Sequence, residues 1–438
     1  MNYLDRLKTN RPLIVDQFSW ISCQLGVFFL PSSVFIAALF LLKACISGSL
    51  VSRNPYFKDP WNIPFAFGGF LMIIGCINSY SGWLAWIGLA NWIPFFWMFW
   101  AIQPYLETSD SRRRIALCML LGSFPVVITG IGQMFLGWEG PWQLFNGLIV
   151  WFIAPGGEPL GRLSGLFDYA NIAGAWLALV WPICLASLLE RNLTFQNRII
   201  LFSFAVAIVS SLILTDSRNA WGGLLLAVPF VMGPSSWIWL LPFLGLLMMP
   251  VLFAVLPWFG SDLQQWSRSF VPESLWKRLS DIGYINERTL ASTRINQWLI
   301  AISLIFERPW FGWGAAAFTV LYPLRTGQWH GHAHNLPLEV SISHGMPVAF
   351  LVVLSVLVLL ITALKRGVLN PTSSTKNCLN RSTFDRAWWT SAFVLVVLHG
   401  ADMPFFDSRL NIAGWILLAG VRCLISPTSN LNSLQRLP

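Results

Sequence analysis

Charge is what this chain has least of. Of its 438 residues only 11% are Asp, Glu, Lys or Arg, while 55% are hydrophobic; a soluble protein carries about 25% charged residues. That is too little charge to give a globule a polar surface, so a soluble domain is excluded. A membrane β-barrel is excluded as well, because the alternation of apolar and polar residues that barrel strands need is missing. Cysteine is sparse and scattered: the seven show no metal-ligand spacing. None lies in 258–333, so a disulfide-stapled external domain is not expected there. Residues 1–17 are polar, with Arg6, Lys8 and Arg11, and no small-residue cleavage site follows them. No cleavable signal peptide is therefore expected.

What is present is a succession of apolar runs of about 20 residues, each long enough to cross a hydrocarbon core of about 30 Å. The chain reads as an all-α polytopic membrane protein, a single integral membrane domain over 1–438. About 12 transmembrane helices are expected, over 18–30, 33–47, 62–79, 83–105, 115–136, 167–189, 198–215, 219–233, 236–257, 335–363, 387–401 and 410–425. The first two form a tight hairpin around Pro31, or else one long tilted helix. Of the 25 Trp, Trp83, Trp86, Trp92, Trp97 and Trp100 cluster near span ends, as in an aromatic belt.

The net charge of +9 is a topology signal and not a nucleic-acid signal. With a cytoplasmic N-terminus, the inside segments hold 18 Lys and Arg and the short outside loops hold 3. The positive-inside rule then puts both termini on the cytoplasmic side. Two outside loops stand out, 137–166 and the large extracytoplasmic loop 258–333. In the latter, WSRSFVPESLWKRLSDIG has apolar residues at helical spacing, as in a helix lying on the membrane surface. Short amphipathic helices are expected there, including STRINQWLIAISLIFE, which Pro309 ends.

Three outside arginines are candidate ligands for an anion: Arg162 in GRLSGLFDYAN, Arg218 in LTDSRNAW and Arg294 in STRINQW. An arginine near the membrane plane is costly unless paired or functional, and its planar fork suits phosphate or carboxylate. Each also has a plainer reading: Arg218 as a partner of Asp216, Arg294 as a solvated helix terminus, Arg162 as a loop charge.

Only five histidines exist, and four fall in QWHGHAHNLPLEVSISHG: His330, His332, His334 and His344. A Zn²⁺ site is one reading. In an extended strand, however, only His330 and His334 would share a face, and the nearest acid, Glu339, is five residues on. No metal and no other cofactor is expected. A general base is the other reading. His334 suits it, because the long loop meets the next span there and Asn335 can cap that helix. His330 and His332 read as polar loop residues or secondary contacts. His344 reads as a packed residue within the span, and His399, with Asp402 near, as a buried and paired one.

HNLPLEVSISHG, with His334-Asn335, nine residues and Gly345, resembles the His-Asn-x9-Gly pattern of the O-antigen ligase/polymerase superfamily of bacterial envelope glycan enzymes. The family's second glycine, three residues on, is Val348 here. GRLSGLFDYANIAGAWLAL, LTDSRNAWGGLLL and STRINQWLIAISLIFERPWFGWG resemble further family segments in the same order, so the likeness covers roughly 160–360. The resemblance implies a metal-independent glycosyltransferase in the bacterial cytoplasmic membrane with its active site on the periplasmic side. Its partners would be membrane lipids, a polyprenyl-pyrophosphate-linked glycan donor and a glycan or lipid acceptor. It implies that Arg218 and Arg294, with Arg162, hold pyrophosphate and that His334 activates the acceptor hydroxyl, supported by Asn335, His332 and His330. Because part of the superfamily is labelled as bicarbonate transporters, an anion path is the alternative. Against it, the polar residues gather at the outer span ends and not deep in the bundle.

Overall fold

The computed structural model describes residues 10–52, 54–190, 193–256, 258, 260–280, 293–369 and 378–425; both termini lie outside them. Helices α1 (Gln17–Phe29) and α2 (Val34–Val51) form a hairpin and not one tilted helix. The Asp16 and Ser33 side chains cap them, each accepting a backbone N–H three residues on,. Next come α3 (Ile63–Ile77), α4 (Trp83–Gly88) and α5 (Ile93–Ala101). The span expected to run unbroken over 83–105 is interrupted just ahead of Pro94, which has no N–H to continue the helix,. Helices α6 (Ser109–Gly122) and α7 (Phe124–Phe135) meet in the same way at Pro125.

The loop 137–166 contains a β-hairpin that was not expected. Strands β1 (Trp142–Leu144) and β2 (Ile149–Trp151) pair antiparallel, with Trp142 opposite Trp151. Four long helices follow: α8 (Ala170–Leu188), α9 (Phe195–Leu214), α10 (Arg218–Met232) and α11 (Pro234–Val255). The large loop carries short helices α12 (Ser261–Phe270), α13 (Glu273–Ser280), α14 (Arg294–Glu307) and α15 (Ala317–Thr326); residues 281–292 lie outside the described ones. The single surface helix expected through WSRSFVPESLWKRLSDIG is two helices, split at Val271–Pro272, again where proline removes a donor,.

The span expected over 335–363 is likewise two pieces, α16 (Leu336–His344) and α17 (Met346–Ala363). Gly345 separates them at φ 89°, a backbone conformation that a side chain disfavours. The break is held from outside. The Pro309–Gly314 turn donates Trp313 N–H to the Ile342 carbonyl (2.7 Å) and Gly314 N–H to the Ser343 carbonyl (3.0 Å), and Pro309 accepts Met346 N–H (2.8 Å). These bonds satisfy the last carbonyls of α16, which a helix end otherwise leaves orphaned. Helices α18 (Cys378–Leu398) and α19 (Ser408–Ile425) complete the chain.

The protein is thus an all-α multi-pass membrane protein with one small hairpin. Among the described residues, eight helical stretches are long and apolar enough to cross a membrane by length and composition. The expected count of about 12 differs because α1, α3 and α10 are shorter than a full crossing and α18 is more polar.

Helix α8 is the centre of the bundle. Nearly its whole circumference is buried, and it packs on α9, α10 and α18. Small residues make this possible. A Cβ on Gly174 would lie 2.9 Å from the Ala220 Cβ, and one on Gly223 would lie 3.3 Å from the Ala178 Cβ and 2.9 Å from Val394. With no hydrophobic force between helices in lipid, such close approach is what holds them together. At one end of the bundle ion pairs tie helices to one another and to loops: Arg112 of α6 to Asp385 of α18 at 2.9 Å, Arg113 to Glu190 at 2.7 Å and Arg422 to Asp59 at 3.1 Å. The opposite end of α8, α10 and α18 carries the features described next.

Gly345→Ala puts a Cβ against the Trp310 carbonyl at a positive φ. A cost above about 1 kcal/mol and a lower apparent melting temperature of the detergent-purified protein are expected. Gly222→Ala, where a Cβ meets nothing within 4 Å, should leave that temperature unchanged or slightly raised.

Candidate functional site

The N-termini of α8 and α10, the histidine loop that leads into α16 and the C-terminus of α18 surround a cavity of about 360 Å³, bordered by Asn171, Asn219, His332, His334 and Asp402. Helix α14 joins them through its first residue, Arg294, whose guanidinium is 3.7 Å from the Asp402 carboxylate. That distance is an ion pair and not a hydrogen bond. Helix N-termini carry partial positive charge and favour anions.

Asp402 is the hub. Its Oδ1 faces His334 Nδ1 at 3.1 Å and accepts the Met403 N–H at 2.9 Å. Its Oδ2 accepts from Asn171 Nδ2 at 2.9 Å. Asn171 is fixed in turn by Arg162, whose Nη2 donates to Asn171 Oδ1 at 2.5 Å while its Nε donates to the Thr215 carbonyl at 2.8 Å. Burial alone would raise the Asp402 pKa. The hydrogen bond and charge of His334, with Arg294 and the Met403 N–H, outweigh it and hold the carboxyl at about 2. An ionised Asp402 can only accept, so His334 donates to it through Nδ1, and a neutral imidazole held this way has its lone pair on Nε2. This is the tautomer a general base needs.

Local chain geometry explains the pose of His334. It sits at φ 50°, in the left-handed region that non-glycine residues seldom occupy. Asn335 follows as the α16 N-cap: its Oδ1 accepts Leu338 N–H (3.0 Å) and its Nδ2 donates to the Gly400 carbonyl (2.8 Å). Leu336 N–H donates to the His399 carbonyl (2.9 Å). The loop before α16 is thereby stitched to the loop after α18.

The alternating-face expectation fails here. The segment is not a strand, and His332 and His334 lie together with ring centroids 4.3 Å apart, edge to face. His334 N–H donates to His332 Nδ1 at 3.3 Å. His330 packs edge-on against Tyr322 at 5.3 Å. Burial, then the neighbouring His334, lowers the pKa of both, that of His332 to about 4, so both are neutral at neutral pH. Among the described residues no group of three or more His, Cys, Asp and Glu could hold a metal ion.

His399 is paired, and its partner is the Leu395 carbonyl, to which Nδ1 donates at 2.6 Å. His344 is buried with its ring edge-on to Trp92 at 6.3 Å. Arg218 is the first residue of α10, between the cavity residues Ser217 and Asn219. The structure therefore gathers His334, His332, His330, Asn335 and Arg294 at one place, with Arg162 one shell back and Arg218 on the bordering helix. Sequence reasoning missed Asp402 and Asn171 as site residues. The available signal was an acid in HGADMP, next to a span end with few outside acids.

Asp402 is held below its ordinary value of 3.8, at about 2. Its contribution to stability is therefore complete above about pH 4 and is lost as the pH falls toward about 2. Asp402→Asn should melt below the parent at pH 6, and the gap should close between about pH 4 and pH 2. Intrinsic Trp fluorescence during heating reads both.

Residues 202–353 match the family model described as O-Antigen ligase. The match contains Arg218, Arg294 and the whole histidine loop, and leaves out Arg162, Asn171 and Asp402. No curated protein matches the chain. Over that segment, from α9 into α17, the chain is similar to the O-antigen ligase family.

Proposed function

We propose that the protein is a membrane glycosyltransferase of the O-antigen ligase or polymerase type. It moves a glycan from an undecaprenyl-pyrophosphate-type lipid donor to an acceptor hydroxyl on the outer face of the bacterial cytoplasmic membrane. The observation that carries this reading is the His334–Asp402 contact at 3.1 Å beside a cavity ringed by helix N-termini.

The chemistry follows from these groups. The acceptor oxygen attacks the anomeric carbon, and His334 Nε2 takes its proton as the glycosidic bond forms. Asp402 steadies the imidazolium that results. The bond from the anomeric carbon to the pyrophosphate oxygen breaks, and the negative charge that grows there is met by Arg218 and Arg294. Arg162 acts one step back, by orienting Asn171 on Asp402. The site end of an apolar cavity of about 500 Å³, at Leu336 and His399, supports a lipid-borne substrate; the cavity continues between α17, α18 and α19 to Leu364.

His334→Ala should lower transfer about 10²- to 10⁴-fold, and Arg218→Ala or Arg294→Ala about 10²- to 10³-fold. Surface glycans of cells carrying each variant, resolved by gel, are the measurement; unchanged attachment and chain length in all three would sink the reading. Uptake of labelled bicarbonate into reconstituted vesicles would favour anion transport instead. Separately, EDTA should leave transfer intact, and loss with rescue by Zn²⁺ would restore the metal reading of the histidine loop.

A further inference from the structure

One buried carboxylate beside the site has no part in the chemistry above. Glu339 lies one turn into α16 and is 5% exposed. Its Oε2 accepts the backbone N–H of Ala333 at 3.0 Å, and the Ser343 side chain hydrogen-bonds the same carboxyl. Ala333 is itself fully buried and immediately precedes His334.

The left-handed backbone at His334 persists only while its surroundings fix it from both sides. On the C-terminal side the anchors are the Asn335 cap, its bond to the Gly400 carbonyl and the Leu336 bond to the His399 carbonyl. On the N-terminal side the amide of Ala333 is held by Glu339, and the His334 amide rests on His332 Nδ1. Resting on the function proposed above, we propose that Glu339 is a positioning residue for the transfer reaction: by fixing the Ala333 amide it holds His334 in the pose that brings Nδ1 to Asp402.

The acceptor role needs an oxygen and not a charge. A neutral amide keeps that oxygen and is a fair replacement. Glu339→Gln should therefore keep kcat within about threefold. Glu339→Leu leaves the Ala333 amide as a buried orphan donor and should lower kcat about 10- to 100-fold with the donor KM nearly unchanged. Glu339→Met is the second variant should the leucine protein fail to fold.

The full-length protein is assayed in detergent. An undecaprenyl-pyrophosphate-linked glycan extracted from the source cells is the donor, and release of the lipid pyrophosphate is followed. In parallel, carbethoxylation of the His334 imidazole by diethyl pyrocarbonate is read by peptide mass spectrometry, which needs no turnover. A faster reaction is expected in the Leu and Met variants, and the parent rate in the Gln variant. The proposal is overturned if His334 reactivity and kcat in the Leu or Met variant match the parent. It is equally overturned if Gln falls as far as they do. If the parent itself releases no lipid pyrophosphate, the transferase reading fails, and the modification rates alone then decide whether Glu339 positions His334.

Discussion

A carboxylate buried at the end of a membrane bundle is expensive unless its charge is used, and Asp402 is used by everything around it. One oxygen faces an imidazole; the other takes an amide from α8 and lies within ion-pair distance of an arginine on α14. Desolvation opposes ionisation, and these partners reverse its effect,. Remove the anion and several pieces lose their reason at once. His334 no longer has a defined tautomer, Asn171 loses its acceptor, and Arg162 is left orienting an amide with nothing to hold.

The rest of the fold makes that meeting possible. Because α8 is lined with glycine and alanine, α10 and α18 lie close enough for residues at three helix ends to share a cavity. The interruption at Gly345 has the same purpose. A continuous span over 335–363 would aim its N-terminus wherever α17 pointed. Broken, and bound to the Pro309–Gly314 turn, α16 is free to point its N-cap at the Gly400 carbonyl.

Much of this was legible in the sequence, and the boundary is physical. Composition and long apolar runs reveal a helical membrane protein, since only an apolar chain can sit in lipid. Histidine rarity and the Asn335 cap single out His334. What remained hidden depends on distance through space. Asp402 lies 68 residues beyond His334 and looks like any loop acid until α8 and α18 are docked. The grouping of His332 with His334 was misread because period-two reasoning holds only in a strand, and this loop turns through a left-handed residue. The expected number of spans differs from the structure's because α1, α3 and α10 are too short for a full crossing and α18 is more polar, while prolines and Gly345 break apolar stretches without changing that number.

The matched segment, 202–353, carries Arg218, Arg294 and the histidine loop but not Arg162, Asn171 or Asp402. Asn171 and Asp402 enter from either flank, through α8 and the loop after α18. A graft of that segment into a relative would import these side chains without Asn171 and Asp402. Its success would then depend on whether the recipient bundle supplies an amide and an acid at the same two helix ends. The matched segment is thus one part of a site that helices on both sides of it complete.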